Sequence, residues 1–230
     1  NGIRINGPEV TSVRVTGNRI GTNHKGEDST VDLGNKLDGV RLESGAMGIT
    51  IGGNKKGDDA ADGKSQANVI SGNHQNGVRL VDAGTMQNKL LGNRIGVGRD
   101  GTTPIGNRRN GVRIEAGAAD NEIGLRDYNS GLRPGFFFDG SVFDREANII
   151  AHNGRDLSKQ GHGIVIVGAG TTGNTVRMNS IHTNSGRGID LGDDSFTVND
   201  PNGEDLSGNK KTSSNRFQDY PVLRRAHDSA

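Results

Sequence analysis

"NGVRL" at Asn76–Leu80 returns as "NGVRI" at Asn110–Ile114 and, almost unchanged, as "NGIRI" at Asn1–Ile5. The same frame is kept by "DGVRL" (Asp38–Leu42), "HGIVI" (His162–Ile166) and "RGIDL" (Arg187–Leu191). In each copy two apolar residues stand two apart, so in an extended chain they share one face while the residue between them faces the other way. Val78 and Leu80 are thus core, Arg79 faces solvent, and Asn76 with Gly77 makes the corner that leads into the strand.

A second pattern, N-x-[VIL]-x-x-N, runs alongside: "NVISGN" from Asn68, "NKLLGN" from Asn88, "NIIAHN" from Asn148 and "NTVRMN" from Asn174. "VRVTGN" from Val13 and "ITIGGN" from Ile49 replace the first asparagine, and "NEIGLR" from Asn121 keeps only that one. Counting each copy as one turn predicts about seven coils of roughly 20 residues with loops of variable length, three turns making a super-repeat of 72–80 residues. Short strands, glycine-rich corners and asparagines at a fixed corner describe an all-β parallel solenoid, since only parallel coiling sets successive copies of a strand side by side. Asparagine suits the corner because it tolerates left-handed backbone and its amide both donates and accepts. The expected ladders are Asn68, Asn88, Asn121, Asn148, Asn174 and, separately, Asn73, Asn93, Asn153, Asn179.

Composition by itself leans the other way. Only 30% of the 230 residues are hydrophobic, 3% are aromatic and 38 are glycine, which leaves little apolar surface to offset chain entropy. The alternation overrides this, because stacked strands pool a core that none could bury alone. With 28 basic and 27 acidic residues the chain lacks the cationic excess of a nucleic-acid binder. No apolar run is long enough for membrane insertion. The absence of cysteine excludes a disulfide framework and thiol chemistry.

The stretches "TGNRIGTNHKG", "LGNRIGVGRDGTTPIGN", "ANVISGN" and "RGIDLGDDSFTVNDPNGEDLSGN" followed by "FQDYPVL" carry a resemblance. The chain resembles the right-handed parallel β-helix repeat proteins of the pectin-lyase-like class, in particular a bacterial secreted or surface group with GN-IGT and NVISGN repeats. The resemblance implies a right-handed, single-stranded parallel β-helix over residues 1–223. It also implies a secreted or cell-surface location, and most such relatives lack an assigned reaction. Residues 125–145 match nothing in the repeat and read as an insertion; 209–223 read as a C-terminal cap, with Phe217, Tyr220 and Pro221 closing the last turn, and 224–230 as a tail.

Four groups of residues are candidates for function. Arg41, Arg79 and Arg113, with Arg4, occupy the outward place of one strand in successive turns, and guanidinium forks in a row suit the carboxylates or sulfates of an acidic polysaccharide. The same side chains equally serve as an ordinary wet face. Tyr128, Phe136 and Phe137 lie in the insertion, where aromatic rings either stack on sugars or cover a sheet flank. His152, Asp156, Lys159, His162, Arg177 and His182 are the titratable groups from which a polysaccharide lyase or glycoside hydrolase would draw its acid and base, although no spacing among them singles out a pair. Asp193, Asp194, Asp200, Glu204 and Asp205 supply hard oxygen ligands for Ca2+ if their loop folds back. No cofactor is required by this reading. The chain is expected to be a rigid display rod that binds polysaccharide or a cell-surface glycan as part of a larger surface protein, with an acidic-polysaccharide enzyme and a purely structural solenoid as the alternatives.

Overall fold

The structure is a computed structural model that describes residues 1–27, 32–53, 66–124, 147–156 and 161–192. The first coil carries β1 (Ile3–Asn6), β2 (Arg14–Val15) and β3 (Arg19–Ile20), and the second β4 (Val40–Glu43), β5 (Thr50–Gly52) and β6 (Val69–Ile70). The third carries β7 (Val78–Val81), β8 (Lys89–Leu91) and β9 (Arg94–Ile95), and the fourth β10 (Val112–Glu115), β11 (Glu122–Ile123) and β12 (Ile149–Ala151). The fifth carries β13 (Ile164–Val167), β14 (Thr175–Val176) and β15 (Ser180–His182), and β16 (Ile189–Leu191) opens a sixth. Equivalent strands pair in parallel to give a first sheet of six strands (β1-β4-β7-β10-β13-β16) and two sheets of five. The second sheet runs from β2 to β14 and the third from β3 to β15. The chain is an all-β parallel β-helix.

A coil is longer than the expected unit of about 20 residues. Ile3, Val40, Val78 and Val112 are successive register partners, spaced 37, 38 and 34 residues apart. The N-x-[VIL]-x-x-N copies account for the difference, because they fall on two sheets. Those starting at Val13, Ile49, Asn88, Asn121 and Asn174 form second-sheet strands, and those at Asn68 and Asn148 third-sheet strands. Seven copies therefore mark five coils among the described residues, and the 72–80-residue super-repeat spans two coils, not three. At about 4.8 Å per strand the first sheet extends roughly 24 Å.

The alternation in "NGVRL" is realised in the core. Val78, Leu80, Val112, Ile114, Val40 and Leu42 are fully buried, as are Ile51, Leu90 and Ile123 of the second sheet and Ile70, Ile95 and Ile150 of the third. Each such aliphatic side chain contributes about 1.5–3 kcal/mol on burial. The glycine of the motif has its own cause. A Cβ added to Gly77 would lie 2.7 Å from the Gly111 carbonyl oxygen, and one on Gly111 2.7 Å from that of Gly163, so the coils approach too closely there for any side chain.

Among the described residues the asparagines at the corners of the second and third sheets form three ladders in place of the two expected. Asn88, Asn121 and Asn174 stand before the second sheet, each Nδ2 donating to the next Oδ1 at 2.9–3.0 Å. Asn18, Asn68, Asn93, Asn148 and Asn179 stand between the second and third sheets, linked at 2.8–3.1 Å. Asn35, Asn73, Asn107, Asn153 and Asn184 follow the third sheet, linked at 2.8–2.9 Å. Amides also donate to main-chain carbonyls of the preceding coil, as Asn93 does to Ile51 at 2.9 Å and Asn148 to Leu90 at 2.8 Å. Each corner thus supplies acceptors and donors to backbone that no strand pairs, which is how a buried turn stays satisfied. Asn68 and Asn88 part company because their motifs sit at different corners of the coil.

Candidate functional site

Arg4, Arg41, Arg79 and Arg113 are register partners on the outer face of the first sheet, and Val165 and Asp190 continue their row. Two carboxylates engage all four arginines. Glu43 stands two residues beyond Arg41, on the same face, and accepts from the Nε of both Arg4 and Arg41. Glu115, in the same relation to Arg113, accepts from Arg79 Nε at 2.6 Å and Arg113 Nε at 2.7 Å. Asp38 lies 3.9 Å from the Arg41 guanidinium. Burial works against ionisation of Glu43, and the hydrogen bonds and charges of Arg4 and Arg41 outweigh it, leaving the carboxyl below its ordinary range. Glu115 is lowered in the same way, burial being overcome by Arg113 and Arg79. The row is a pair of Arg-Glu-Arg clamps, each closing two coils together.

The titratable candidates separate onto different corners. His152 follows β12 in left-handed backbone geometry (φ 58°), and His182 ends β15; their rings meet edge to face with centroids 6.2 Å apart. Arg177 is exposed, just past β14. Asp156 lies beyond the third-sheet ladder, its N–H donating to the Arg108 carbonyl at 3.1 Å.

His162 sits before the first sheet, in a fourth column with Asn1, Asp38, Asn76 and Asn110. In this column Asp38 accepts from Asn76 Nδ2 at 2.8 Å, Asn76 from Asn110 Nδ2 at 3.0 Å, and Asn110 from the His162 N–H at 2.9 Å. His162 Nδ1 in turn accepts the Arg187 N–H at 3.0 Å, which places the ring proton on Nε2, 3.6 Å from the buried Asp190 Oδ2. His162 therefore takes the acceptor's place in a ladder, and among the described residues of the group the fold brings His152 and His182 into contact.

Lys159, the insertion residues Tyr128, Phe136 and Phe137, and the acidic residues Asp193, Asp194, Asp200, Glu204 and Asp205 lie outside the described residues. Among the described residues no three His, Asp or Glu side chains gather where they would hold a metal ion.

Three arginines were passed over in the sequence. Arg19 and Arg94 hold equivalent places in the two "GNRIG" copies and share the outer row of the third sheet, with Val69 between them. Arg99 belongs to the loop that follows β9. The duplicated "GNRIG", at Gly17 and at Gly92, is the signal in the sequence that marks this row. No family model matches the chain, and no similar protein was found among curated proteins or solved structures.

Proposed function

We propose that the chain is a secreted or cell-surface β-helix module that serves as a rigid display rod and binds carbohydrate as part of a larger surface protein. We propose further that it is a right-handed β-helix of the pectin-lyase-like class. The repeats "TGNRIGTNHKG" and "ANVISGN" and their resemblance to a bacterial surface group support this. The observation that carries the reading is the ladders: side chains of five successive coils are hydrogen-bonded to one another at both corners that flank the third sheet, so the outer faces keep a fixed spacing along the axis. A rigid, evenly spaced face loses little entropy when it takes a repeating polymer.

The test is a panel of neutral, uronate and sulfated glycans, offered with and without Ca2+, with binding followed by calorimetry and unsaturated product by ultraviolet absorbance. Binding without turnover is expected. Accumulation of unsaturated product would establish a lyase and overturn the display-rod reading. The enzyme alternative draws support from the His152–His182 contact, two imidazoles at one edge of the third sheet. Asn substitution of both would abolish turnover if that pair acts on substrate.

A further inference from the structure

We propose that the corner where loops 21–27 and 96–104 fold over the third sheet is an anion site, taking the carboxylate or sulfate groups of an acidic glycan. It rests on the glycan-binding reading above and names the chemistry that binds. Arg94 lies in the third-sheet row between Val69 and Ile149, so its stem runs over apolar neighbours. Its Nε is shielded from water and has no hydrogen-bond partner. Burial first, and then the like charge of Arg99, weigh against its positive charge, with Asp100 partly opposing them.

Asp100 does not complete an ion pair. Its carboxylate accepts from the Thr103 hydroxyl at 2.6 Å, the Thr102 hydroxyl at 2.9 Å and the N–H groups of Thr102 and Thr103 at 3.0 and 2.9 Å, and so holds the loop's own turn. Within the described residues Arg19, Arg94 and Arg99 form no ion pair with a carboxylate. With its Nε dry and unpaired, Arg94 carries its charge without an acceptor among the described residues, and its terminal guanidinium nitrogens, which are not shielded in this way, are the donors open to an anion from outside.

The surrounding loops are fixed. Gly98 N–H donates to Thr103 at 2.8 Å, Ile105 to Gly96 at 3.0 Å, and Arg99 to Gly26 of the lower loop at 2.9 Å. The loop glycines, both at positive φ (75° for Gly26 and 78° for Gly101), pack against the cations. A Cβ on Gly26 would stand 3.4 Å from Arg19 Nε and 3.3 Å from Arg99 Cβ, and one on Gly101 3.8 Å from Arg94 Nε. Arg19–Gly26 and Arg94–Gly101 are thus two copies of one arrangement, two coils or roughly 9.6 Å apart along the axis, a spacing that a charged polymer can bridge. His24, Lys25 and Glu27 are the exposed charged or titratable groups of the lower loop, so Glu27 is the only described carboxylate there to compete with a ligand. Carboxylate and sulfate both match the guanidinium fork.

The experiment is titration of the full chain with oligomers of polygalacturonate, dextran sulfate and uncharged dextran. The variants are Arg94→Gln/Arg99→Gln, Arg99→Gln, Arg19→Gln and, on the first sheet, Arg4→Gln. At least a tenfold loss of affinity for the acidic oligomer is expected in the double variant, about a threefold loss in each exposed single variant, and none in Arg4→Gln. Binding of polygalacturonate alone or dextran sulfate alone supports the site and identifies its anion. Undiminished acidic binding in the third-sheet variants, or dextran binding equal to the charged oligomers, overturns the site while leaving glycan binding intact. Binding of none of the three by the wild type overturns both. Arg99→Gln and Arg19→Gln, at exposed positions, keep the test decisive if the double variant melts.

Discussion

Two rows of arginine run along the outside of this β-helix, and they differ in what stands two residues further on. On the first sheet, "VRLE" and "VRIE" place Glu43 and Glu115 on the same face as Arg41 and Arg113. Each glutamate reaches both its own arginine and the one in the preceding coil. On the third sheet the strands are two or three residues long, and Val69 and Ile149 are the register neighbours of Arg94. Arginine in the same outward place is therefore a structural clamp in one row and an unpaired cation in the other. Exposure of a charged residue says little about function until the groups across the neighbouring coils are known.

The largest effect is expected from Glu115→Ala. It leaves Arg79, 24% exposed, without a carboxylate and removes one partner of Arg113. A loss of about 2 kcal/mol follows, discounted from the cost of breaking a fully buried pair because both arginines keep some contact with water. In a chain of this size that is roughly 4–8 °C in Tm, readable by circular dichroism. A change under 1 °C would show that the clamp does not hold the coils.

Acid should act on both clamps together. The two glutamates have depressed pKa values in the fold, so their stabilisation is complete above the ordinary glutamate value of about 4.3 and is lost as pH falls through the folded value. Tm should hold steady from pH 7 to about pH 5 and then fall. Glu43→Gln/Glu115→Gln should start from a lower plateau and show a shallower acid limb; an unchanged limb would place the acid sensitivity elsewhere.

Glu43→Ala should cost less than its counterpart, about 1 kcal/mol. Arg4 is 61% exposed and turns to water when released, and Arg41 keeps Asp38 at 3.9 Å. Equal losses for the two glutamates would mean that exposure of the arginine does not set the difference. The smallest effect, and one of opposite sign, is expected on the third sheet. Arg94→Leu between Val69 and Ile149 should change stability by less than about 0.5 kcal/mol or raise it slightly, since it replaces a half-buried, unpaired cation with an apolar side chain. A loss comparable to that of Glu115→Ala would erase the contrast between the rows.

The strands were legible because alternation is local. Val78 and Leu80, or Val112 and Ile114, are separated from one another by a single residue, and the pleat alone sends both inward. The outward row Arg4, Arg41, Arg79 and Arg113 was legible for the same reason. The coil length was not, because two corners of each turn use the same asparagine pattern, and nothing in "NVISGN" or "NKLLGN" marks which corner it builds. Asn35 and Asn107 escape that pattern because no asparagine lies five residues from them, whereas Asn184 closes "NSIHTN" from Asn179, a further copy that overlaps the end of "NTVRMN". Of the titratable candidates, His162 has its partners outside its own stretch of chain. Its fate depends on the Arg187 N–H and on Asp190, both in the following coil.

The sequence by itself determined that this chain is a parallel solenoid, which residues form its core, and that its exterior is nearly neutral. These properties follow from period, residue type and count. Only the tertiary structure decided which asparagines share a ladder and which arginines are neutralised. Ladder partners lie 25 to 55 residues apart, as Arg4 and Glu43 do at 39 and Arg79 and Glu115 at 36. Loops of unequal length set that distance, so the register between coils settles what each charge meets.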